Sequence, residues 1–259
     1  MRAIIAAAGT AGHINPGLAI ANKIKQENKD AEILFIGTER GLEQDLVPRA
    51  GYELKTIDAY GLSKKISIDN LKKMIKTIKG LSQAKKIVKE FKPDVVIGTG
   101  GYICGAVILA AHKLKIPTAL HESNAFPGKA VKMLAKKTDV IMVSFEDAIS
   151  RIPNAKKIVL TGTPTRNINL NLTASDKVKE IEKYSLNPAK PTVLAFGGSQ
   201  GAKKINDTIV ELAAKGLNKK YQILLASGAK QYDEVKNELK EKGLNIDNLS
   251  RNKNCTIYI

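Results

Sequence analysis

Residues 6–25, AAAGTAGHINPGLAIANKIK, contain the pattern on which the fold prediction rests. An apolar strand predicted over residues 3–8 leads into a glycine turn, and a helix predicted over residues 16–26 follows. Strand, glycine turn and helix in this order are typical of the first unit of an α/β sheet. His13 lies between the turn and the helix, where ligands of such sheets bind.

The alternation of strands and helices continues to about residue 160. Strands are predicted at 3–8, 32–36, 53–58, 94–97, 118–121, 140–143 and 158–160, and helices at 16–26, 42–50, 69–91, 103–113 and 127–135. Repeated βαβ units indicate a parallel, doubly wound sheet, so the chemistry is expected in the loops after the strands.

A polar stretch at residues 161–176, TGTPTRNINLNLTASD, is interpreted as a link between two domains. The α/β pattern then resumes, with strands at 192–196 and 222–226, helices at 202–214 and 232–242, and a last strand beginning at CTIYI. We expect domains at 1–162 and 163–259, the second of them incomplete.

The composition and net charge of the chain limit the partners and cellular locations that it can have. Lys and Arg number 42 against 25 Asp and Glu, a net charge of +17 that favours a nucleic acid, an acidic lipid surface or a phosphorylated substrate. Aromatic residues are only 5% of the chain and Trp is absent, which disfavours nucleic acid because no platform for base stacking is visible. Two distant cysteines, no signal peptide and no membrane-length apolar run predict a cytoplasmic protein, or one bound to a membrane from the cytoplasmic side.

Four glycine-rich loops follow predicted strands: AAGTAGH (7–13), GTGGY (98–102), TGTPTR (161–166) and GGSQGA (197–202). One such loop is explained equally well by the steric needs of a turn, but four favour a phosphorylated ligand. The first loop lacks the G-x-G-x-x-G spacing and a following acid at the tip of the second strand, which disfavours a dinucleotide enzyme. No G-K-[ST] follows any loop, which disfavours a P-loop NTPase.

Two further features leave alternatives open. His13 is either a capping or packing residue or a general base beside a phosphate loop. In LHESNAFPG (120–128), His121 is expected in a buried hydrogen-bonding cluster, while Asn124 lies past the strand end and can bind a sugar or phosphate edge. The segment 61–91 has nine lysines and an apolar stripe at helical spacing, so it is either a surface helix packed on the sheet or a docking face for anionic lipid.

Taken in order, the segments GTAGHINPGLAIA, FIGTERGLEQDLVPRAGY, KPDVVIGTGGYICGAVILAA, IPTALHESNAFPGKAVKMLAK, TGTPTR and FGGSQGAKKIN resemble the peptidoglycan enzymes of glycosyltransferase family 28. The resemblance runs from residue 1 to about residue 230. It implies an α/β GT-B fold, two Rossmann-like parallel-sheet domains facing a cleft. It also implies inverting transfer of GlcNAc from UDP-GlcNAc to the MurNAc 4-hydroxyl of undecaprenyl-pyrophosphoryl-MurNAc-pentapeptide (lipid I to lipid II), without cofactor or metal. This is a step of cell wall synthesis, performed peripherally on the cytoplasmic side of the cell membrane.

The resemblance also implies roles for particular residues. His13 is the candidate catalytic base. Donor-binding residues are Thr10, Ala11, Gly12, Asn124, Arg166, Ser199 and Gln200, and acceptor-binding residues are Gly100, Gly101 and Tyr102. The family commonly has Gly where this chain has Ala8 and Ala11, and Ala11 fits if its φ is negative. The chain also ends where the family continues for roughly another hundred residues, a domain's worth by ordinary size. Two alternatives therefore stand beside transfer: an inactive fragment that binds acceptor or membrane, and a GT-B transferase for another UDP-sugar acceptor.

Overall fold

A computed structural model describes residues 1–60, 68–165, 173–184, 186–198, 201–217, 220–244 and 257–258. The side chains of residues 68–76, 78 and 257–258 lie outside this description. The chain divides into two compact units, an N-terminal unit at Met1–Ile168 and a C-terminal unit at Asn169–Ile259.

The N-terminal unit is built around a seven-stranded sheet in the order β3-β2-β1-β4-β5-β6-β7, in which all neighbouring strands are parallel. The strands are β1 (Arg2–Ala7), β2 (Glu32–Gly37), β3 (Glu53–Thr56), β4 (Val95–Gly100), β5 (Thr118–Glu122), β6 (Val140–Val143) and β7 (Ile158–Leu160). The helices are α1 (Ala11–Glu27), α2 (Glu43–Arg49), α3 (Ile68–Phe91), α4 (Ile103–Lys113) and α5 (Lys129–Leu134), with 3₁₀ helices at Ala135–Lys137 and Glu146–Arg151.

Both faces of this sheet are buried, which explains why residues 3–7 of β1 are all apolar. Successive strand residues point to opposite faces. Ile4 packs in a core that includes side chains of α3 and α4, whereas Ile5 packs in another with side chains of α1. Helices therefore cover both faces, and the predicted doubly wound α/β architecture is confirmed.

The C-terminal unit has a parallel three-stranded sheet in the order β10-β9-β8. Its elements are α6 (Ala174–Lys183), β8 (Thr192–Phe196), α7 (Lys203–Ala214), β9 (Gln222–Ala226), α8 (Tyr232–Glu241) and β10 (Ile257–Tyr258). Side chains of α7, α8 and β9 form its core, with Val210, Ile223, Leu225 and Leu239 nearly inaccessible to solvent.

Two helices differ from the sequence prediction. Helix α1 begins at Ala11, five residues before the predicted start, so Pro16 lies inside the helix. Proline favours the first turn of a helix, which is why the sequence placed the start there. Helix α6 was not predicted, although Thr173 and Asp176 form a capping box at its start.

Candidate active site

Two of the predicted glycine-rich loops and the segment LHESNAFPG lie at one edge of the N-terminal sheet. Residues 8–10 follow β1, residues 101–102 follow β4, and residues 123–128 follow β5. Because β4 lies between β1 and β5 and all three strands are parallel, their carboxyl ends adjoin. This edge is where α/β sheets bind their ligands.

His13 lies in the first turn of α1, and its ring is fixed in one orientation. Its Nδ1 donates to the carbonyl oxygen of Ala8 at 3.0 Å, while its own carbonyl accepts from Thr99 Oγ1 at 2.8 Å. A carbonyl oxygen only accepts, so in the neutral imidazole the proton is on Nδ1. Nε2 is therefore the unprotonated nitrogen, and among the described residues it has no hydrogen-bond partner. This is the tautomer and orientation that a general base requires.

Gly100 and Gly101 make room for this arrangement. Gly100 has φ +135°, and a Cβ on it would lie 2.2 Å from Cδ2 of His13. Gly101 has φ +83°, and a Cβ there would lie 2.7 Å from the oxygen of Ala8. The two glycines are needed because the imidazole and the Ala8 carbonyl pack directly against their backbone.

Cys104 packs against the backbone of the same loop. Its Sγ accepts from the Gly100 N–H at 3.3 Å and lies 3.3 Å from the Ala6 oxygen and 3.1 Å from the Gly100 oxygen, both acceptors for the thiol proton. Burial raises the pKa of the Cys104 thiol to about 11. The thiol is thus a fixed packing element, a role the sequence analysis did not foresee.

The predicted donor residues Thr10, Ala11 and Gly12 lie at the start of α1. Thr10 is the N-cap, and Ala11 is helical, so its φ is negative as expected. The N–H groups of Ala11 and Gly12 have no acceptor among the described residues. Together with the positive end of the helix dipole, they leave this terminus able to receive an anion.

Gly9, in contrast, does not present its N–H to a ligand. That N–H donates to Oε2 of Glu43 at 2.9 Å, a carboxylate that is completely buried. Oε1 of Glu43 accepts from Thr38 N at 2.9 Å and from Thr38 Oγ1 at 2.7 Å. The first loop is therefore only partly available to bind a phosphate, because the N–H of Gly9 already donates to an internal carboxylate.

Sequence reasoning missed Glu43 because it lies six residues beyond β2. Gly37 and Gly41, which precede Glu43, were the signal in the sequence that could have revealed it. A Cβ on Gly37 would lie 2.6 Å from Cγ of Glu43, and a Cβ on Gly41 would lie 2.0 Å from its Oε2. The stretch GTERGLE is thus a backbone shaped to surround this carboxylate.

Asn124 lies just past the end of β5 and is exposed. Its Nδ2 and its backbone N donate to Oε1 of Glu122 at 2.8 and 2.9 Å, and Gly128 N donates to Oε2 at 2.7 Å. The buried Glu122 therefore holds the Asn124 amide in one orientation. Oδ1, an acceptor, and the second hydrogen on Nδ2, a donor, are left for a ligand.

His121 belongs to the buried hydrogen-bonding cluster that the sequence predicted. Its Nε2 lies 3.2 Å from the oxygen of Gly162, and its Nδ1 lies 3.3 Å from Ser123 Oγ. The contact with a carbonyl places the proton on Nε2, opposite to the tautomer of His13. Burial lowers the pKa of His121, which favours the neutral ring.

Tyr102 is partly exposed beside the second glycine loop. It lies close to Arg40, whose guanidinium carbon is 3.9 Å from the ring centroid of Tyr60. Arg40 Nη2 also donates to the oxygen of Ala59 at 2.9 Å. A fixed cation thus lies next to one of the predicted acceptor residues.

The structure brings together His13, Gly100, Gly101 and the start of α1, and it places Asn124 at the same sheet edge. Three predicted donor residues, Arg166, Ser199 and Gln200, lie outside the described residues. In the basic segment 61–91, residues 61–67 and the side chains of 68–76 also lie outside them.

Two negative findings apply to the described part of the chain. No group of three or more His, Cys, Asp or Glu side chains there is arranged to hold a metal ion. None of the helices in that part combines the length and apolar character needed to cross a bilayer.

Comparison with known sequences gives matches over both units. Residues 3–143 match the glycosyltransferase family 28 N-terminal domain, and residues 192–259 match the glycosyltransferase family 28 C-terminal domain. A relative from Caldanaerobacter subterraneus subsp. tengcongensis is 47% identical over 247 residues, covering 95% of this chain and 67% of that protein. It is named UDP-N-acetylglucosamine--N-acetylmuramyl-(pentapeptide) pyrophosphoryl-undecaprenol N-acetylglucosamine transferase.

A relative of the same name from Clostridioides difficile is 43% identical over 246 residues, 94% of this chain and 59% of that protein. The chain spans about two thirds of the length of such curated relatives.

Solved structures agree on the fold. Acinetobacter baumannii MurG superposes with a TM-score of 0.65 at 25% identity, covering 99% of this chain and 66% of that one. UDP-GlcNAc 2-epimerase from Neisseria meningitidis, bound to UDP-GlcNAc, gives a TM-score of 0.62 at 15% identity, covering 99% of this chain and 71% of that one.

Proposed function

The chain belongs to glycosyltransferase family 28, and from this premise we propose that it is a hexosyltransferase of peptidoglycan synthesis. The reaction is transfer of N-acetylglucosamine from UDP-N-acetylglucosamine to the MurNAc 4-hydroxyl of undecaprenyl-pyrophosphoryl-MurNAc-pentapeptide. The observation that carries this proposal is His13, an imidazole held with Nε2 open at the sheet edge where three loops meet. The curated relatives carry the same activity in their names.

His13 acts as the general base in this proposal. Nε2 takes the proton of the acceptor hydroxyl as its oxygen attacks the anomeric carbon of the donor sugar. The bond from that carbon to the UDP oxygen breaks at the same time, so the configuration at the anomeric carbon inverts. The Nδ1 bond to the Ala8 oxygen supports this role, because it keeps the proton off Nε2 and holds the ring in place.

Negative charge develops on the UDP leaving group. The free N–H groups of Ala11 and Gly12 and the dipole of α1 are suited to stabilise an anion near His13. Arg166, Ser199 and Gln200 remain proposed donor contacts, outside the described residues. Gly9 is not among the proposed phosphate ligands, since its N–H is bonded to Glu43.

Asn124 is proposed to bind the donor sugar. Its Oδ1 accepts from a hydroxyl or amide N–H of the sugar, and its second Nδ2 hydrogen donates to a sugar oxygen. Gly100, Gly101 and Tyr102 are proposed to hold the acceptor pyrophosphate, with Arg40 adding a positive charge beside Tyr102.

A lipid-linked acceptor requires the protein to work at a membrane surface. We propose peripheral association with the anionic cytoplasmic face, supported by the net charge of +17. Each Lys or Arg near an anionic surface contributes about 1 kcal/mol.

The test is a transfer assay with labelled UDP-GlcNAc and a lipid I analogue in detergent micelles. The proposal predicts label in a lipid II product and release of UDP. The matched arms replace UDP-GlcNAc by UDP-glucose and lipid I by a simple glycoside acceptor, and both are expected to be poor substrates. Equal turnover in either arm would favour a transferase for another pair of substrates. Binding of lipid I analogue without turnover would favour a binding module.

A further inference from the structure

One peptide unit connects the buried carboxylate Glu43 to His13. The Ala8–Gly9 peptide accepts at its oxygen from Nδ1 of His13, at 3.0 Å. The N–H of the same peptide donates to Oε2 of Glu43, at 2.9 Å. The three groups therefore form a continuous chain of hydrogen bonds: carboxylate, peptide, imidazole.

The Glu43 end of this chain is fixed. Its side chain is completely buried, and its other oxygen accepts two hydrogen bonds from Thr38. Gly37 and Gly41 enclose it so closely that a side chain on either would collide with it. The three hydrogen-bond donors and the two glycines therefore hold the carboxylate in one orientation.

We propose that Glu43 is a positioning residue for His13 and acts through the Ala8–Gly9 peptide. This inference rests on the proposed role of His13 as base. A peptide bond is planar, so fixing its N–H also fixes the direction of its carbonyl oxygen. The carboxylate also polarises the peptide, which makes the Ala8 oxygen a stronger acceptor for Nδ1–H. Both effects favour the tautomer with a free Nε2.

The competing explanation is that Glu43 only links α2 to the residues after β1 by hydrogen bonds, and contributes to the stability of the fold but not to catalysis. Asp139 provides a matched control for that explanation. Its Oδ2 accepts from Thr118 N at 3.0 Å and Thr118 Oγ1 at 2.9 Å, the same Thr pairing as that of Glu43. It precedes β6 and contacts the first residue of β5, so it lies at the opposite edge of the sheet from His13.

The test compares Glu43→Gln, Gly41→Ala and Asp139→Asn with the unmodified protein. A Gln oxygen is expected to face the two Thr38 donors, which turns its NH₂ towards the Gly9 N–H and breaks the chain. Gly41→Ala keeps the charge but displaces the carboxylate, because the new Cβ would lie 2.0 Å from Oε2. Gly41 is not among the glycines with positive φ, so this variant adds no backbone strain and serves if Glu43→Gln folds poorly.

Two measurements are made on each variant. Long-range ¹H–¹⁵N NMR of the histidine rings reports the fraction of His13 protonated on Nδ1, with the signal assigned by a His13→Gln sample. Both Glu43→Gln and Gly41→Ala are expected to lower that fraction, and Asp139→Asn to leave it unchanged. In the transfer assay, replacing a tautomer-fixing carboxylate by its amide costs about 10⁴-fold in kcat when it bonds the imidazole directly. Acting through a peptide, Glu43→Gln is expected to cost roughly 10- to 100-fold in kcat, with KM changed less than about threefold.

An unchanged His13 tautomer in both Glu43→Gln and Gly41→Ala would overturn the inference. So would an equal loss of kcat in Asp139→Asn, which would show a stability effect alone. The NMR measurement needs no substrate, so it decides the positioning role even if the unmodified protein fails to transfer GlcNAc and the proposed function falls.

Discussion

Replacing Gly100 by alanine is expected to move the imidazole of His13 out of place. An alanine Cβ would lie 2.2 Å from Cδ2 and 2.9 Å from Nε2 of that ring, whereas ordinary contacts begin at 3.4 Å. The closest atoms must therefore separate by about 1.2 Å, the difference between 3.4 and 2.2 Å. A misplacement of about 1 Å in a reacting group costs on the order of 10²-fold in rate.

The same substitution strains the backbone. Gly100 has φ +135°, which side chains of L-residues rarely adopt. Such strain costs about 1–3 kcal/mol. For a unit of this size, each kcal/mol lowers Tm by about 2–4 °C, so Tm is expected to fall by about 2–12 °C.

The assay is GlcNAc transfer to a lipid I analogue, measured well below the Tm of each variant. Gly105→Ala is the matched control in the same region of the chain. No atom lies within 4 Å of a Cβ there, and the residue is inside helix α4. The control should keep its kcat and gain about 0.5–1 kcal/mol in stability. A Gly100→Ala variant with the kcat of the unmodified protein would refute the packing argument that places His13 at the reacting centre.

Three further predictions concern other residues of the sheet edge. Glu122→Ala should raise the KM for UDP-GlcNAc roughly tenfold, because it removes the acceptor that holds the Asn124 amide, and losing a buried hydrogen-bond partner costs about 1–3 kcal/mol. Cys104 should resist iodoacetamide at pH 8 in the folded protein, as measured by peptide mass spectrometry, because its raised pKa leaves almost no thiolate. The pKa of His121 is lowered in the folded protein, so the unfolded chain takes up this proton at a higher pH than the folded one. The free energy of unfolding should therefore fall as pH drops below 6.5. Urea titrations of His121→Asn should lack this part of the pH dependence.

Each of these has a contrary result. An unchanged KM in Glu122→Ala would mean that the Asn124 amide does not bind the donor. Rapid labelling of Cys104 without unfolding would contradict its buried environment. An identical pH dependence of stability with and without His121 would show that its ring is protonated equally in both states.

Much of the fold followed from local patterns. The strands β1, β2, β4 and β6 of the N-terminal sheet are largely apolar runs, and burial on both faces makes such runs easy to recognise. The start of α1 was harder, because Pro16 is a strong signal for a first turn while the true N-cap, Thr10, accepts no side-chain hydrogen bond. Helix α6 was missed although TASD encodes its capping box, because the polar residues around it suggested a link.

The sequence shows where the candidate site residues lie along the chain, but not which contacts they make. His13 and the glycine loops stand out because their positions after strands are visible in the sequence. Glu43 and Glu122 do not stand out, because their importance depends on which backbone N–H groups they reach across the fold. Glu43 and Gly9 are 34 residues apart along the chain, and the pairing of β1 with β2 brings them together in space.

The most direct test of the account is single-turnover transfer of labelled N-acetylglucosamine from UDP-GlcNAc to a lipid I analogue, comparing the unmodified protein with His13→Ala. Loss of a positioned general base costs about 10²- to 10⁴-fold in the chemical step, and we expect a loss in this range with UDP-GlcNAc binding nearly unchanged. A His13→Ala protein that forms lipid II at the unmodified rate would contradict it.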